Sequence, residues 1–150
     1  MSNFEGHAEV KVIEHVINCD ADPFVPEGWR VEEHQKGGPF KWDPKAVQLY
    51  LSEPQRKCKS IEGNNLRTEL AGKPVLNANV LDYLLGHSHL IPEEWKKRMN
   101  ICFWGSIYRH GPFYGLCVRC LHWQGSRWVW VYMWLVSDWG VSSPAALRAH

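Results

Sequence analysis

Cys117-Val-Arg-Cys120 has the spacing of one half of a zinc site, and His122 and Cys102 are further donors of the type a tetrahedral zinc ion takes. The sequence has no second C-x-x-C to complete the pattern, however. If residues 116–123 form a strand, the two thiols of the motif also point to opposite faces. They read better as small buried side chains than as metal ligands. Cys102 or Cys120 beside His110, His122 or His87 would make a Cys–His nucleophile. With eight His and five Cys such pairs arise by chance, and no local signature frames one. His87-Ser-His89 offers two ring nitrogens to a metal in an extended chain, but at the end of a helix the same residues suit its terminus. Asp20, Asp22 and Glu27 share one loop without the regular spacing of a calcium site, as solvated turn residues do. Arg109, Arg119 and Arg127 lie among aromatic residues, a composition that stacks on single-stranded nucleic acid. Dinucleotide-binding and Walker-type glycine loops and a nucleophile elbow are all missing. The expectation is therefore a protein without catalytic, metal or cofactor site. A zinc- or Cys-dependent small enzyme and a single-stranded nucleic-acid binder stand as alternatives.

The elements that must position these residues divide along the chain. In the first hundred residues, AEVKVIEHVIN (8–18) alternates like a strand, and DADPFVPEG (20–28) is a loop. Residues 28–34 form a short strand and HQKGG (34–38) a turn. Asp43-Pro44 predicts a helix start, with Ala46, Val47, Tyr50 and Leu51 at helical spacing until Pro54. Asn64 or Asn65 caps a second short helix with Gly72 beyond its end, and Asn77 or Asn79 caps a third. PEEWKKR, from Pro92, has its acids first and its bases last, as a helix dipole favours. The last fifty residues read as strands: 101–109, then 116–123 after the turn HGPFYG, then 127–135 after a hairpin loop at Gln124-Gly125-Ser126. In RWVWVYMWL, Trp128, Trp130, Tyr132 and Trp134 share one face and Val129, Val131 and Met133 the other. The aromatic face is too large and apolar to leave wet and should turn inward. The opposite face is either a second buried layer or an exposed apolar patch of the kind that binds partners.

Composition agrees with one domain of 150 residues, 45% apolar and 22% charged, without disorder. No run of about 18 apolar residues is present to span a membrane. The opening MSNFEGHAEV lacks a basic segment followed by an apolar stretch, so no secretory signal is expected and the cytoplasm is the default compartment. Five Cys then imply free thiols. The net charge of +1 argues against a dedicated nucleic-acid binder. Six of the nine Trp fall in residues 101–150, a region with four Arg, one Asp and no Lys or Glu. Lys and Glu are depleted at binding surfaces as well.

FWGSIYR (103–109), VRCLHW (118–123), RWVWVYMWL (127–135) and SDWGVSSPAALRA (137–149) resemble the C-terminal variable region of diversity-generating retroelement variable proteins. PEGWRVEEHQKGG (26–38) and PVLNANVLDYLLGHSHLIPEEW (74–95) resemble the same group, in particular small hypothetical proteins of candidate-phylum bacteria. In that family a reverse transcriptase copies a template, randomises its adenines and rewrites the end of the gene. The resemblance implies a C-type-lectin-like fold and a ligand-binding receptor without catalysis, whose partner is a protein or a small molecule. It implies a scaffold of Trp104, Trp123, Trp128, Trp130, Trp134 and Trp139, with Arg127, Pro144 and Ala145. The implied variable, ligand-contacting positions are Tyr114, Cys117, His122, Gln124, Gly125, Ser126, Val129, Val131, Met133, Val136, Ser137, Gly140, Val141, Ser142 and Ser143. Gln124 and Met133 depart from the family's pattern, since adenine changes in an AAC codon yield neither, and HGPFYG is one residue longer than expected. On this reading, Ser at Val129, Val131 and Met133 together should leave stability largely intact and change ligand choice.

Overall fold

The computed structural model describes residues 13–149. Along them run β1 (Val16–Asn18), β2 (Arg30–His34), β3 (Pro39–Lys41), β4 (Val47–Tyr50), α1 (Glu53–Arg56), β5 (Ile61–Glu62), α2 (Gly63–Leu70) and α3 (Ala78–Gly86). After them come β6 (Asn100–Cys102), β7 (Ser106–Arg109), β8 (Leu116–Trp123), β9 (Trp128–Trp134), β10 (Asp138–Trp139) and β11 (Ala145–Arg148). This is a mixed α+β domain, mostly sheet, whose seven-stranded main sheet curls into a half-barrel.

β8 is the spine of that sheet. On one side it pairs with β9 along its whole length, from Cys117 opposite Trp134 to Trp123 opposite Trp128. On the other side it is shared by β7, at Leu116 and Cys117, and β6, at Cys120 to His122. β6 and β7 are the expected strand 101–109 broken in two. The break falls at Phe103–Gly105, where the sheet forks: β2 continues beyond β7, and β11 with β4 beyond β6. Gly105 sets the break, since a Cβ there would lie 2.8 Å from the Asn77 backbone nitrogen. That close approach brings the start of α3 onto the sheet.

Two large cores flank the sheet, and a small third cluster of Ala78, Tyr108 and Cys117 lies beside them. Leu121, Ile101 and Phe103 join Val80, Leu81 and Leu84 of α3 on one face, with Ile17 of β1 and Phe40 of β3. Val118, Cys120 and Cys102 join Leu66 and Leu70 of α2 on the other, with Trp104, Leu135 and Trp139. α3 forms where its spacing predicts, with the Asn77 side chain accepting from the Asn79 N–H at 3.1 Å. α2 forms too, but Glu62 is its cap, accepting from Asn64 and Asn65.

Four expectations change. Asp43 accepts from the Lys45 N–H as a cap should, yet Pro44–Ala46 makes only one 3-10 turn. Val47–Tyr50 becomes β4 because β11 pairs with all four of its residues. Pro54 lies in the first turn of α1 and does not end a helix; a reciprocal Ser52–Gln55 capping box fixes that start. PEEWKKR is a 3-10 turn over Glu93–Lys97. Of the strand expected over 8–18, Val16–Asn18 forms β1 and residues 8–12 lie outside the described residues. Among those described, no helix is long and apolar enough to cross a membrane.

Candidate functional site

The β8–β9 hairpin turns at Gln124–Ser126, where Gln124 N–H donates to the Arg127 carbonyl at 2.9 Å and Gly125 takes φ +94°. Its register puts Val129, Val131 and Met133 on one face with His122, Cys120 and Val118. Val131 and Met133 are half-buried against the α2-side core, so this face is a second packed layer at those positions. Ser at all three positions is thus expected to destabilise the fold, contrary to the sequence expectation. Val129 belongs to neither core. His122 is joined to the Met99 carbonyl through Nδ1 at 2.7 Å.

The loop 140–143 lies over the same face. Met133 Sδ accepts from the Ser143 hydroxyl and the Asn100 amide, each at 3.5 Å. The loop is tied down through its main chain. Buried Gln55 donates from Nε2 to the Gly140 carbonyl at 2.8 Å and the Ser143 carbonyl at 3.2 Å. Asn100 N–H donates to the Ser142 carbonyl at 2.9 Å. Val141 is exposed and Gly140 and Ser142 are half-exposed.

The structure brings together His122, Val129, Val131, Met133 and the 140–143 loop. Gln124, Gly125 and Ser126 are exposed at the hairpin tip, and Val136 and Ser137 flank the opposite end of β9, with Val136 76% exposed. Tyr114 is exposed in a different loop, where its carbonyl accepts from Arg109 at 2.7 Å. Cys117 and Ser143 are buried and cannot contact a ligand in this conformation. Cys117 faces the aromatic side against Tyr108 and Trp134, and Ser143 turns its hydroxyl inward to Met133.

The Trp positions divide as well. Trp139 and Trp104 are buried with ring centres 4.7 Å apart, and Trp139 Nε1 donates to the Trp134 carbonyl at 3.1 Å. Trp123, Trp128, Trp130 and Trp134 are only half-buried and Tyr132 is exposed, so the aromatic face is not fully inward. The reason is that one core ends beneath it. Trp128 and Trp130 reach the α3-side core, and beyond them the rings lean on side chains from distant loops. Trp29 contacts Trp130 and Tyr132, and His110 sits among Trp29, Phe113, Tyr132 and Trp134 at 4.8–5.2 Å. Arg119, 1% exposed, stacks over Trp130 at 4.3 Å and grips Asp82 with two hydrogen bonds of 2.8 Å. Burial works against the Arg119 charge, but the Asp82 hydrogen bonds and charge outweigh it and raise its pKa. Sequence reading missed Trp29 and Asp82 and weighed His110 only as a partner for a cysteine, because no local pattern links these residues to the hairpin.

The other candidates resolve differently. Cys117 and Cys120 do lie on opposite faces. Burial, with Cys120 nearby, pushes the Cys117 thiol up to about 12, and burial likewise holds Cys102 well above its ordinary value. Both are disfavoured as thiolates near neutral pH. His87 and His89 meet His15, with ring centres 5.4–6.3 Å apart, and the Tyr83 hydroxyl is joined to His15 Nδ1 at 2.6 Å. Among the described residues no three His, Cys, Asp or Glu side chains are arranged to hold a metal ion.

Comparison with protein-family models, curated proteins and solved structures finds no match to this chain.

Proposed function

We propose that this chain is a non-catalytic ligand-binding protein of the retroelement-diversified type, with a C-type-lectin-like domain whose variable positions lie around β9 and the 140–143 loop. The observation that carries the reading is how that loop is held. Gln55 and Asn100 bind the carbonyls of Gly140, Ser142 and Ser143, atoms every residue type possesses. Side chains at 140–142 can therefore change while the loop keeps its place. Val129, with no share in either core, and the exposed tip Gln124–Ser126 have the same freedom. A surface meant to be rewritten needs this separation between what fixes the backbone and what meets the ligand. Ser, Gly and His among these positions supply adaptable contacts, as in antibody paratopes. The partner is a protein or small molecule; the near-neutral charge gives little support to nucleic acid.

A library randomised at His122, Gln124, Val129, Val136, Val141 and Ser142 tests the reading. Most members are expected to fold with cooperative thermal transitions, and selection against unrelated proteins is expected to return different sequences for each target. If most members unfold, these positions are structural and the reading fails. The gene provides an independent check: a reverse-transcriptase gene nearby and a near-copy of codons 114–143 are expected.

A further inference from the structure

β6 and β8 place two cysteines directly opposite each other. Cys102 and Cys120 are partners in the antiparallel ladder. Opposed residues in such a ladder have Cα atoms about 4.5–5.5 Å apart, inside the 4.4–6.8 Å window that a disulfide spans. Their sulfurs are 2.9 Å apart, between the length of an S–S bond, about 2.05 Å, and ordinary contact. Both side chains are fully buried in the α2-side core. The remaining three are placed differently. Cys58 is exposed, Cys19 lies in the α3-side core, and Cys117 faces the other side of the sheet.

We propose that Cys102 and Cys120 are a latent cross-strand disulfide, closed when the chain folds in the presence of a small-molecule disulfide such as oxidised glutathione. One thiol, as thiolate, attacks the small disulfide and releases one small thiol. The other then attacks the mixed disulfide and releases the second. The two cysteines lose two protons and two electrons, and one small disulfide becomes two small thiols. The bond ties β6 to β8 in the row that continues across the sheet to Val131. It would lock the spine from which β9 hangs.

Burial raises the Cys102 thiol and shields both sulfurs, so exchange belongs to the folding chain and is slow in the folded one. The test refolds the reduced, denatured full chain in glutathione buffers of graded disulfide-to-thiol ratio. Samples are quenched with acid and alkylated in denaturant, and intact mass counts the alkyl groups. Five cysteines give five groups when reduced. The expected product carries three, and peptide mapping links Cys102 to Cys120. Cys58→Ala is expected to leave that link intact, while Cys102→Ala and Cys120→Ala each yield fully alkylated protein. Five groups at every ratio, or a link through Cys58 or Cys117, overturns the proposal. If an alanine variant fails to fold, the linked peptide of the unsubstituted chain decides alone.

Discussion

β8 and β9 are the two arms of one hairpin, and they differ in burial in the direction opposite to their composition. β9 carries four aromatic rings in seven residues, yet none of its residues is fully buried. β8 carries an arginine and a histidine, yet Cys117 to Leu121 are buried without interruption. Position in the sheet accounts for the contrast. β8 has strands on both edges and a core on each face, whereas β9 pairs with β8 alone among the described residues and meets only the rim of each core.

The largest effect expected from this contrast falls on the cross-strand pair Leu121–Trp130. Leu121 is fully buried, so Leu121→Ala should remove about 3–4 kcal/mol of unfolding free energy through lost burial and a residual cavity. Trp130→Ala removes a larger side chain that is only half-buried and should cost less. Urea unfolding of both variants compares the strands directly, and a greater loss at Trp130 would show that β9 carries the core. Next comes the ion pair beneath that ring. Asp82→Ala leaves the Arg119 guanidinium buried without its partner and should cost about 3 kcal/mol. Adding Arg119→Met should recover most of that loss, because an apolar chain fits between Trp130 and Tyr108. No recovery would mean that Arg119 contributes through its stacking on the rings and not only through the pair.

The same contrast marks how far the sequence could be read. α3 was legible because its signals are local: the Asn77 cap and apolar residues at helical spacing. The hairpin was legible because a Gly at the tip supplies the positive φ. Which side chains share a face of β9 followed from strand periodicity alone. Which face is covered did not, because the covering groups, Trp29, His110 and Asp82, arrive from distant loops and helices. Val47–Tyr50 shows the same limit. Its spacing suits a helix, and only pairing with residues almost a hundred positions later makes it a strand. Of the positions the resemblance names as variable, the tip Gln124–Ser126 is exposed where the hairpin-loop chemistry puts it, and Val136 is exposed beyond the end of β9. Cys117 and Ser143, named as variable by the resemblance alone, are buried: Cys117 lies on the aromatic side against Tyr108 and Trp134, and Ser143 turns its hydroxyl to Met133.

The smallest effects sharpen the contrast within β9 itself. Met133 and Val129 lie on one face, four residues apart, under different cover. Met133 packs on the α2-side core and accepts from Ser143 and Asn100, so Met133→Ala should cost about 1–2 kcal/mol, less than a fully buried site. It should also loosen the 140–143 loop, read as faster amide exchange there. Val129 joins neither core, so Val129→Ser should cost no more than about 0.5–1 kcal/mol, the scale of strand preference. Thermal unfolding of the two variants side by side tests the gradient along the strand. Equal losses would place both residues in the scaffold and confine the freely replaceable surface to the hairpin tip and the exposed side chains beyond β9. A loss at Met133 alone puts the boundary between support and contact inside one strand, with Val129 on the contact side.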